Sequence, residues 1–199
     1  MTTDARAPQD RLPGRPLPTL SLPSTDGVRV ALDRLTGRTV LYLYPLTGRP
    51  GRNLPEGWDT IPGARGCTPE ACDFRDHHAD LRAAGADRVY GVSAQHTDEQ
   101  REVVDRLRLP FPLLSDPRLT LAARLGLPTF RAGGTTLFGR LTLVLLEGVV
   151  EHVFHPVRVP AAHAREVLAW LGSRTSPPDR VRPPHAGEGG RGGAPRSPM

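Results

Sequence analysis

Residues 66–76 of the chain read GCTPEACDFRD, and this stretch holds both cysteines of the sequence. Thr68 followed by Pro69 predicts the start of a helix, because a hydroxyl can accept from free N–H groups and proline tolerates the first helical position. Cys67 would then lie just before the positive end of the helix. Together with Arg65, this position favours the thiolate, which is the reactive form of cysteine.

The spacing of the two cysteines gives a second indication. In one continuous α-helix, the Cα atoms of Cys67 and Cys72 would lie roughly 8 to 9 Å apart, from the rise and turn per residue. A disulfide usually needs a Cα separation of about 4.4 to 6.8 Å. A bridge would therefore require the helix to unwind. This does not suit a structural staple, but it suits a thiol that reacts first and is then resolved by its neighbour.

The composition of the 199 residues predicts one folded domain between two polar ends. Segments 1–14 and 173–199 are rich in Pro, Gly and Arg, so we expect a flexible N-terminal segment and a disordered tail. Residues 15–172 are enough for a single core. No apolar run resembles a secretory signal or is long enough to span a bilayer, which favours a cytoplasmic protein. In a reducing compartment, a close pair of cysteines is more often catalytic or metal-binding than structural.

The charge balance invites a nucleic-acid interpretation, which the pattern of basic residues does not support. The formal net charge is +5, and all 26 basic residues are arginine. They are scattered among Ala, Gly, Pro and Asp, without interleaved aromatic residues or a recognisable binding motif. We therefore expect neither a nucleic-acid partner nor a membrane partner.

Strands and helices alternate along the central part of the chain. The patterns predict strands at 28–32, 39–44, 88–92, near 113, at 140–146 and at 149–154, and helices from the cysteine stretch to about 84, at 98–107, at 118–125 and at 161–171. This order predicts an α/β fold with a central mixed sheet and helices on both faces. Cys67 would then lie at the carboxyl edge of the sheet, where open α/β sheets place their sites.

The cysteine stretch also belongs to a wider set of matching segments. GCTPEACDFRD is preceded by LYLYP and followed, in order, by GVSAQ, LPFPLLSD and GRLTLVL. Together they resemble the peroxiredoxins, and among them the bacterioferritin-comigratory or PrxQ-like branch, over about residues 17–171. The resemblance implies a thioredoxin-like fold and a thiol-dependent peroxidase that needs no metal or organic cofactor.

The same resemblance implies roles for three residues. Cys67 matches the peroxidatic cysteine, which becomes a sulfenic acid, and Cys72 matches the resolving cysteine, which condenses with it to an intramolecular disulfide. Arg140 matches the arginine that holds the thiolate and orients the peroxide. The implied substrates are hydrogen peroxide and small organic hydroperoxides. Thioredoxin or a similar dithiol is the implied reductant, and the protein is expected as a monomer or weak dimer.

One part of the family pattern does not match. Peroxiredoxins usually carry Pro, three residues, Thr, two residues and Cys, but the position three before Cys67 is Ala64. The simplest account is an insertion, residues 48–64, that splits the motif.

Several residues are candidates for binding the peroxide despite the insertion. Pro45 would keep its place against the pocket. Thr47 or Thr60 would supply the motif hydroxyl, with Thr47 favoured, or neither supplies it. A backbone N–H, such as that of Gly66, can donate to the peroxide in any case.

A zinc site is one alternative interpretation of the cysteine stretch. His77 and His78 follow the cysteines and complete a C-x4-C-x4-H-H pattern, but a tetrahedral zinc site usually draws its ligands from two chain segments. We therefore predict no metal site and place these histidines on the helix surface or the pocket rim. Glu70 is interpreted as an acid in the first helical turn whose charge would raise the pKa of Cys67.

Two functional alternatives remain open at this point. A thioredoxin-like disulfide reductase is disfavoured, because such reductases use C-x-x-C rather than C-x4-C. A peroxide sensor or redox-regulated interaction protein would use the same cysteine pair, with the Arg-rich tail as a docking segment. The sequence does not separate a sensor from a scavenger.

Overall fold

The computed structural model describes residues 7–175, and the predictions for 1–6 and 176–199 lie outside this range. The strands are β1 (Ser21–Pro23), β2 (Arg29–Ala31), β3 (Arg38–Leu43), β4 (Arg88–Ser93), β5 (Leu113–Ser115), β6 (Thr129–Ala132), β7 (Thr135–Phe138), β8 (Leu141–Leu146) and β9 (Val149–Phe154). The α-helices are α1 (Pro8–Arg11), α2 (Cys67–Asp76), α3 (His78–Ala83), α4 (Thr97–Leu107), α5 (Thr120–Leu125) and α6 (His163–Thr175). Short 3-10 turns lie at Leu32–Arg34, Trp58–Thr60 and Pro160–Ala162.

The central sheet has the strand order β5-β4-β3-β8-β9. Strand β3 pairs in parallel with β4, and β4 pairs in parallel with β5, across the helical crossovers. Strand β8 pairs antiparallel with both β3 and β9. The predicted mixed sheet, parallel at the crossovers and antiparallel at the C-terminal hairpin, is therefore confirmed.

The buried strand β3 separates two apolar cores because successive side chains point to opposite faces of a sheet. Leu41 and Leu43 belong to the core that also contains residues of α5. Val40 and Tyr42 belong to the core formed with α2, α3, α4 and α6. Helices on both faces were predicted, and this is confirmed.

The folded region begins earlier than the predicted boundary at residue 15. Residues Pro8–Arg11 form α1, and Leu12 is fully buried in the core that contains α5. Arg11 donates from Nη1 to the carbonyl of Leu125 at 2.7 Å. Leu12 is a lone apolar residue among polar neighbours, so its burial depends on a distant helix and leaves no local periodicity to detect.

The predicted cysteine helix is two helices in the structure. Helix α2 begins at Cys67 and ends at Asp76, and α3 begins after His77, whose φ of −103° and ψ of 10° leave the helical region. The N-cap is Gly66 in the left-handed region (φ 101°), with no side-chain capping hydrogen bond. The prediction that Thr68 caps this helix is therefore wrong, and Cys67 is its first residue.

A second small hairpin, β6–β7, supports the insertion 48–64. Trp58 and Ala64 from the insertion pack in one apolar cluster with Ala132 and Leu137 from the hairpin. The rings of Trp58 and Phe130 lie 6.1 Å apart between centroids. The insertion is thus anchored to the hairpin that leads into β8. Within residues 7–175, no helix combines the length and apolar character needed to cross a membrane.

Candidate active site

The topology brings Cys67 and Arg140 to the same edge of the sheet. In the register of β3 and β8, Leu43 at the end of β3 pairs with Leu141 at the start of β8. Arg140 therefore precedes β8 at the carboxyl end of β3, the edge expected for a site in this fold. Cys67, at the first position of α2, belongs to the apolar core beside the end of β3 and is 5% exposed.

The guanidinium of Arg140 contacts the sulfur of Cys67 directly. Its Nη2 donates to Cys67 Sγ at 3.1 Å and to the carbonyl of Arg65 at 3.0 Å. Its Nη1 donates to Glu70 Oε2. Arg140 is itself buried, so its orientation is held by these contacts rather than by solvent. The structure thus brings together the two residues that the resemblance paired.

The thiol of Cys67 experiences opposing influences on its pKa. Burial raises the pKa, while the positive charge of Arg140 and the backbone N–H of Leu46 lower it, and the charge of Glu70 raises it. Burial has the largest effect, so the pKa lies above the ordinary value. The expectation that Arg65 helps to lower it is wrong: Arg65 is exposed and pairs with Asp59 at 2.8 Å.

Glu70 lies in the first turn of α2, but it is fully buried and faces Arg140. Burial raises its pKa to about 8, although Arg140 acts in the opposite direction. The guanidinium of Arg140 therefore lies between the sulfur of Cys67 and the buried carboxyl of Glu70.

A cavity of about 370 Å³, which we call the cysteine cavity, opens beside the sulfur. Its lining residues are Leu46, Gly48, Arg49, Pro50, Arg52, Leu54, Trp58, Ala64, Gly66, Cys67, Thr68, Pro69 and Arg106. Many of them belong to the insertion 48–64, which therefore shapes the approach to the thiol. Gly66, one of the predicted binding residues, lies on this wall.

The threonines considered for the peroxide-binding hydroxyl lie elsewhere. Thr47 is buried, and its backbone is clamped by the side-chain amide of Gln95: Thr47 N donates to Oε1 at 2.8 Å and Nε2 donates to Thr47 O at 3.1 Å. Thr60 is exposed and donates to the carbonyl of Gly57 at 2.8 Å. Of the described threonines, only Thr68 lines the cysteine cavity, while Thr47 lines a neighbouring cavity. Pro45 is buried and forms the bend two residues after the end of β3.

Cys72 lies on the same uninterrupted helix as Cys67. It is half-buried, both thiols are free, and Arg75 lies beside it on α2. The helical separation of the two Cα atoms exceeds the range of a disulfide. A bond between the two sulfurs therefore requires α2 to unwind in its first turns.

The histidines that follow the cysteines are engaged with protein groups. His77 Nδ1 lies 3.3 Å from Asp73 Oδ1, and the ring of His78 lies 5.6 Å from that of Phe111 between centroids. Among residues 7–175, no group of three or more His, Cys, Asp or Glu side chains is arranged to hold a metal ion.

Comparison with known proteins agrees with this fold and site. The family model described as Redoxin matches residues 12–168, so the chain belongs to the Redoxin family of thioredoxin-like proteins. Within it, the chain is 34% identical over 162 residues to the chloroplastic peroxiredoxin Q of Oryza sativa subsp. japonica, covering 80% of this chain and 66% of that protein. The resemblance to the PrxQ-like branch is thus confirmed, although the chain spans just under two thirds of that curated relative.

Two solved structures are similar as well. Peroxidoxin BcpB from Mycobacterium tuberculosis is 28% identical with a TM-score of 0.66, covering 82% of this chain and 98% of that chain. The bacterioferritin comigratory protein of Xanthomonas campestris, described for its alkyl peroxide reduction activity, is 27% identical with a TM-score of 0.59, covering 78% and 91%. The predicted thioredoxin-like fold is confirmed by these structures.

Proposed function

We propose that the protein is a thiol-dependent peroxidase in which Cys67 is the peroxidatic cysteine. The observation that carries this proposal is the contact of 3.1 Å between Arg140 Nη2 and the Sγ of Cys67, a residue that lines the cysteine cavity. A guanidinium stays charged at all working pH values and presents several donors at once. It can therefore stabilise the thiolate and also hold a peroxide oxygen against it.

In the first step, the thiolate of Cys67 attacks one peroxide oxygen and the O–O bond breaks. The sulfur loses two electrons and becomes a sulfenic acid, while the peroxide is reduced. The departing oxygen takes up the proton released by the thiol and leaves as water or an alcohol. The backbone N–H of Leu46, which lowers the pKa of Cys67, is a further candidate donor at the reacting centre.

In the second step, Cys72 resolves the sulfenic acid. Helix α2 unwinds, the Cys72 sulfur attacks the Cys67 sulfur, and an intramolecular disulfide forms with loss of water. A dithiol protein such as thioredoxin then reduces the bridge by thiol–disulfide exchange and is itself oxidised. We further propose that thioredoxin is the reductant, that the protein is a monomer or weak dimer, and that it is located in the cytoplasm. Resolution within one chain supports the monomer or weak dimer, since it needs no cysteine from a partner chain.

The experiment that tests the proposal follows peroxide consumption and protein mass. With thioredoxin and its reductase, the protein should consume hydrogen peroxide over many turnovers. A peroxide sensor, in contrast, needs to react only once per signal. Cys67→Ser should abolish consumption. Cys72→Ser should retain the first oxidation and accumulate a sulfenic acid, whereas the unchanged protein should lose two hydrogens within one chain. Consumption that survives Cys67→Ser would contradict the proposal.

A further inference from the structure

We propose that the cysteine cavity prefers organic hydroperoxides that carry a carboxylate, which Arg49 and Arg52 of the insertion bind. The inference rests on the peroxidase activity proposed above and names its substrate class. It depends on the charge and the apolar surface of the cavity, which the chemistry at Cys67 does not itself require.

The charge of the cavity wall has one sign. Arg49, Arg52 and Arg106 line it, and none of the described lining residues is acidic. Arg106 is balanced by Glu102 at 2.7 Å and also donates to the carbonyl of Gly48 at 3.1 Å. The guanidinium groups of Arg49 and Arg52 have no ion pair or hydrogen bond with a side chain or carbonyl within residues 7–175. Two such groups are suited to a carboxylate, which guanidinium binds with paired hydrogen bonds.

The rest of the wall suits an organic body rather than hydrogen peroxide alone. The apolar surface of the cavity comes from Leu46, Pro50, Leu54, Trp58 and Pro69. Leu54 is 43% exposed. The cavity volume of about 370 Å³ falls in the usual range of small-molecule sites, roughly 300–1,000 Å³. Hydrogen peroxide is little larger than water, whose share of liquid volume is about 30 Å³. Most of the cavity is therefore available to a larger substrate.

The two arginines stand where they can orient such a substrate. Arg49 and Arg52 line the cysteine cavity, and both also line a neighbouring cavity of about 270 Å³, whose one acidic lining residue is Glu99. The carboxylate is therefore placed on the side of the cysteine cavity. A carboxylate held there leaves the apolar wall of the cysteine cavity for the body of the substrate, with Cys67 at the same cavity. A positive cleft also raises the rate of encounter with an anion, by about 10- to 1,000-fold in favourable cases.

A matched pair of substrates tests this inference: cumene hydroperoxide with a para carboxylate, and the methyl ester of the same compound. The rate constant for Cys67 oxidation is measured in the pre-reduced protein by stopped-flow fluorescence, without a reductase. We expect the acid to react about tenfold faster than the ester at low salt. At 1 M salt, where the screening length is about 3 Å, the ratio should fall towards one. The ratio should fall in the same way at low salt in Arg49→Ala/Arg52→Ala.

The control variant is Arg34→Ala/Arg118→Ala, which changes the net charge equally at two exposed positions outside both cavities. It should keep the preference for the acid. A ratio near one in the unchanged protein, or an equal loss in the control, would overturn the inference. If hydrogen peroxide and the ester oxidise Cys67, and the acid reacts no faster than the ester, only this inference fails. If no peroxide oxidises Cys67, the proposed function fails with it. The salt dependence of the acid-to-ester rate ratio is measured in the unchanged protein, so it tests the inference even where a variant is unstable.

Discussion

The reactivity of Cys67 depends on a balance at the level of single residues. Burial raises the pKa of the thiol, and Arg140 is the largest opposing influence. The guanidinium can act on the sulfur because its Nη2 is also fixed by the carbonyl of Arg65 at 3.0 Å. Glu70, whose pKa burial raises to about 8, accepts from Nη1 of the same guanidinium. The stabilisation of the thiolate is therefore concentrated in one side chain.

Replacing Arg140 should accordingly change both the rate of Cys67 oxidation and its pH dependence. Arg140 lowers the pKa of Cys67, so Arg140→Ala should raise that pKa and move the rise of rate with pH to higher pH. At pH 7 we expect the rate to fall about 100- to 1,000-fold, the usual effect of losing a donor at a reacting oxyanion. Arg140→Lys keeps the charge but not the fork of donors. Its oxidation rate should therefore lie between the rates of the unchanged protein and of Arg140→Ala. Stopped-flow rates from pH 5 to 10 provide the measurement, and unchanged profiles would contradict the assigned role.

Residue identities in the site were predictable where a strand or a motif locates them. Cys67 and Arg140 follow from the cysteine stretch and from the start of the strand GRLTLVL, and the structure places them together. The geometry around them was not predictable, because a positive charge near the cysteine in sequence need not be near it in space. Arg65 pairs with Asp59, and the pKa of Cys67 is instead lowered by Arg140 and by the backbone N–H of Leu46, which has no side-chain signature.

At the scale of elements, helix α2 begins at a glycine that allows close packing. Gly66 has a φ of 101°, and an added Cβ would lie 2.8 Å from Cγ and 2.9 Å from Cβ of Pro160. Pro160 opens the 3-10 turn that precedes α6. The start of the cysteine helix thus rests directly against the C-terminal part of the domain, and a side chain at residue 66 would separate them.

Gly66→Ala should therefore destabilise the protein more than Gly63→Ala does. Gly63 also has a positive φ, 77°, but an added Cβ would meet nothing within 4 Å. The control should cost about 1–2 kcal/mol, from the left-handed backbone alone. Gly66→Ala should cost roughly 1–3 kcal/mol more, because overpacking is added to the same backbone strain. Urea unfolding of the two variants measures the difference, and equal losses would show that the contact with Pro160 has no energetic weight.

The helices and strands themselves could largely be predicted from the sequence, and their ends could not. Short apolar runs located the central strands, since both faces of the sheet are buried. The break at His77 was missed because no glycine or proline marks it, and the hairpin β6–β7 was missed because its pattern is weak. Thr68 and Pro69 looked like a start signal, but Gly66 already supplies the turn.

At the scale of the whole molecule, the N-terminal segment is part of the core. Leu12 is fully buried against α5, so Leu12→Ala should lower the free energy of unfolding by about 2–5 kcal/mol. Leu146, which is 42% exposed, provides the control, and its replacement by Ala should cost less than about 1 kcal/mol. Chemical denaturation compares the two variants. Equal small losses would support the boundary at residue 15 that the composition predicted.

The shortness of α2 has a consequence for the timing of the proposed cycle. A helix of 10 residues is marginal by itself, since isolated helices below about 12–15 residues rarely persist in water. Helix–coil relaxation takes about 0.1–1 μs, far less than a typical enzymatic turnover. The delay before Cys72 can reach Cys67 is therefore set by the side chains that hold α2 down: Phe74, fully buried, and Asp73, which accepts from the N–H of Ala164 at 2.7 Å. The rate of the second step is therefore governed by how tightly α2 is docked on α6, the helix to which Ala164 belongs.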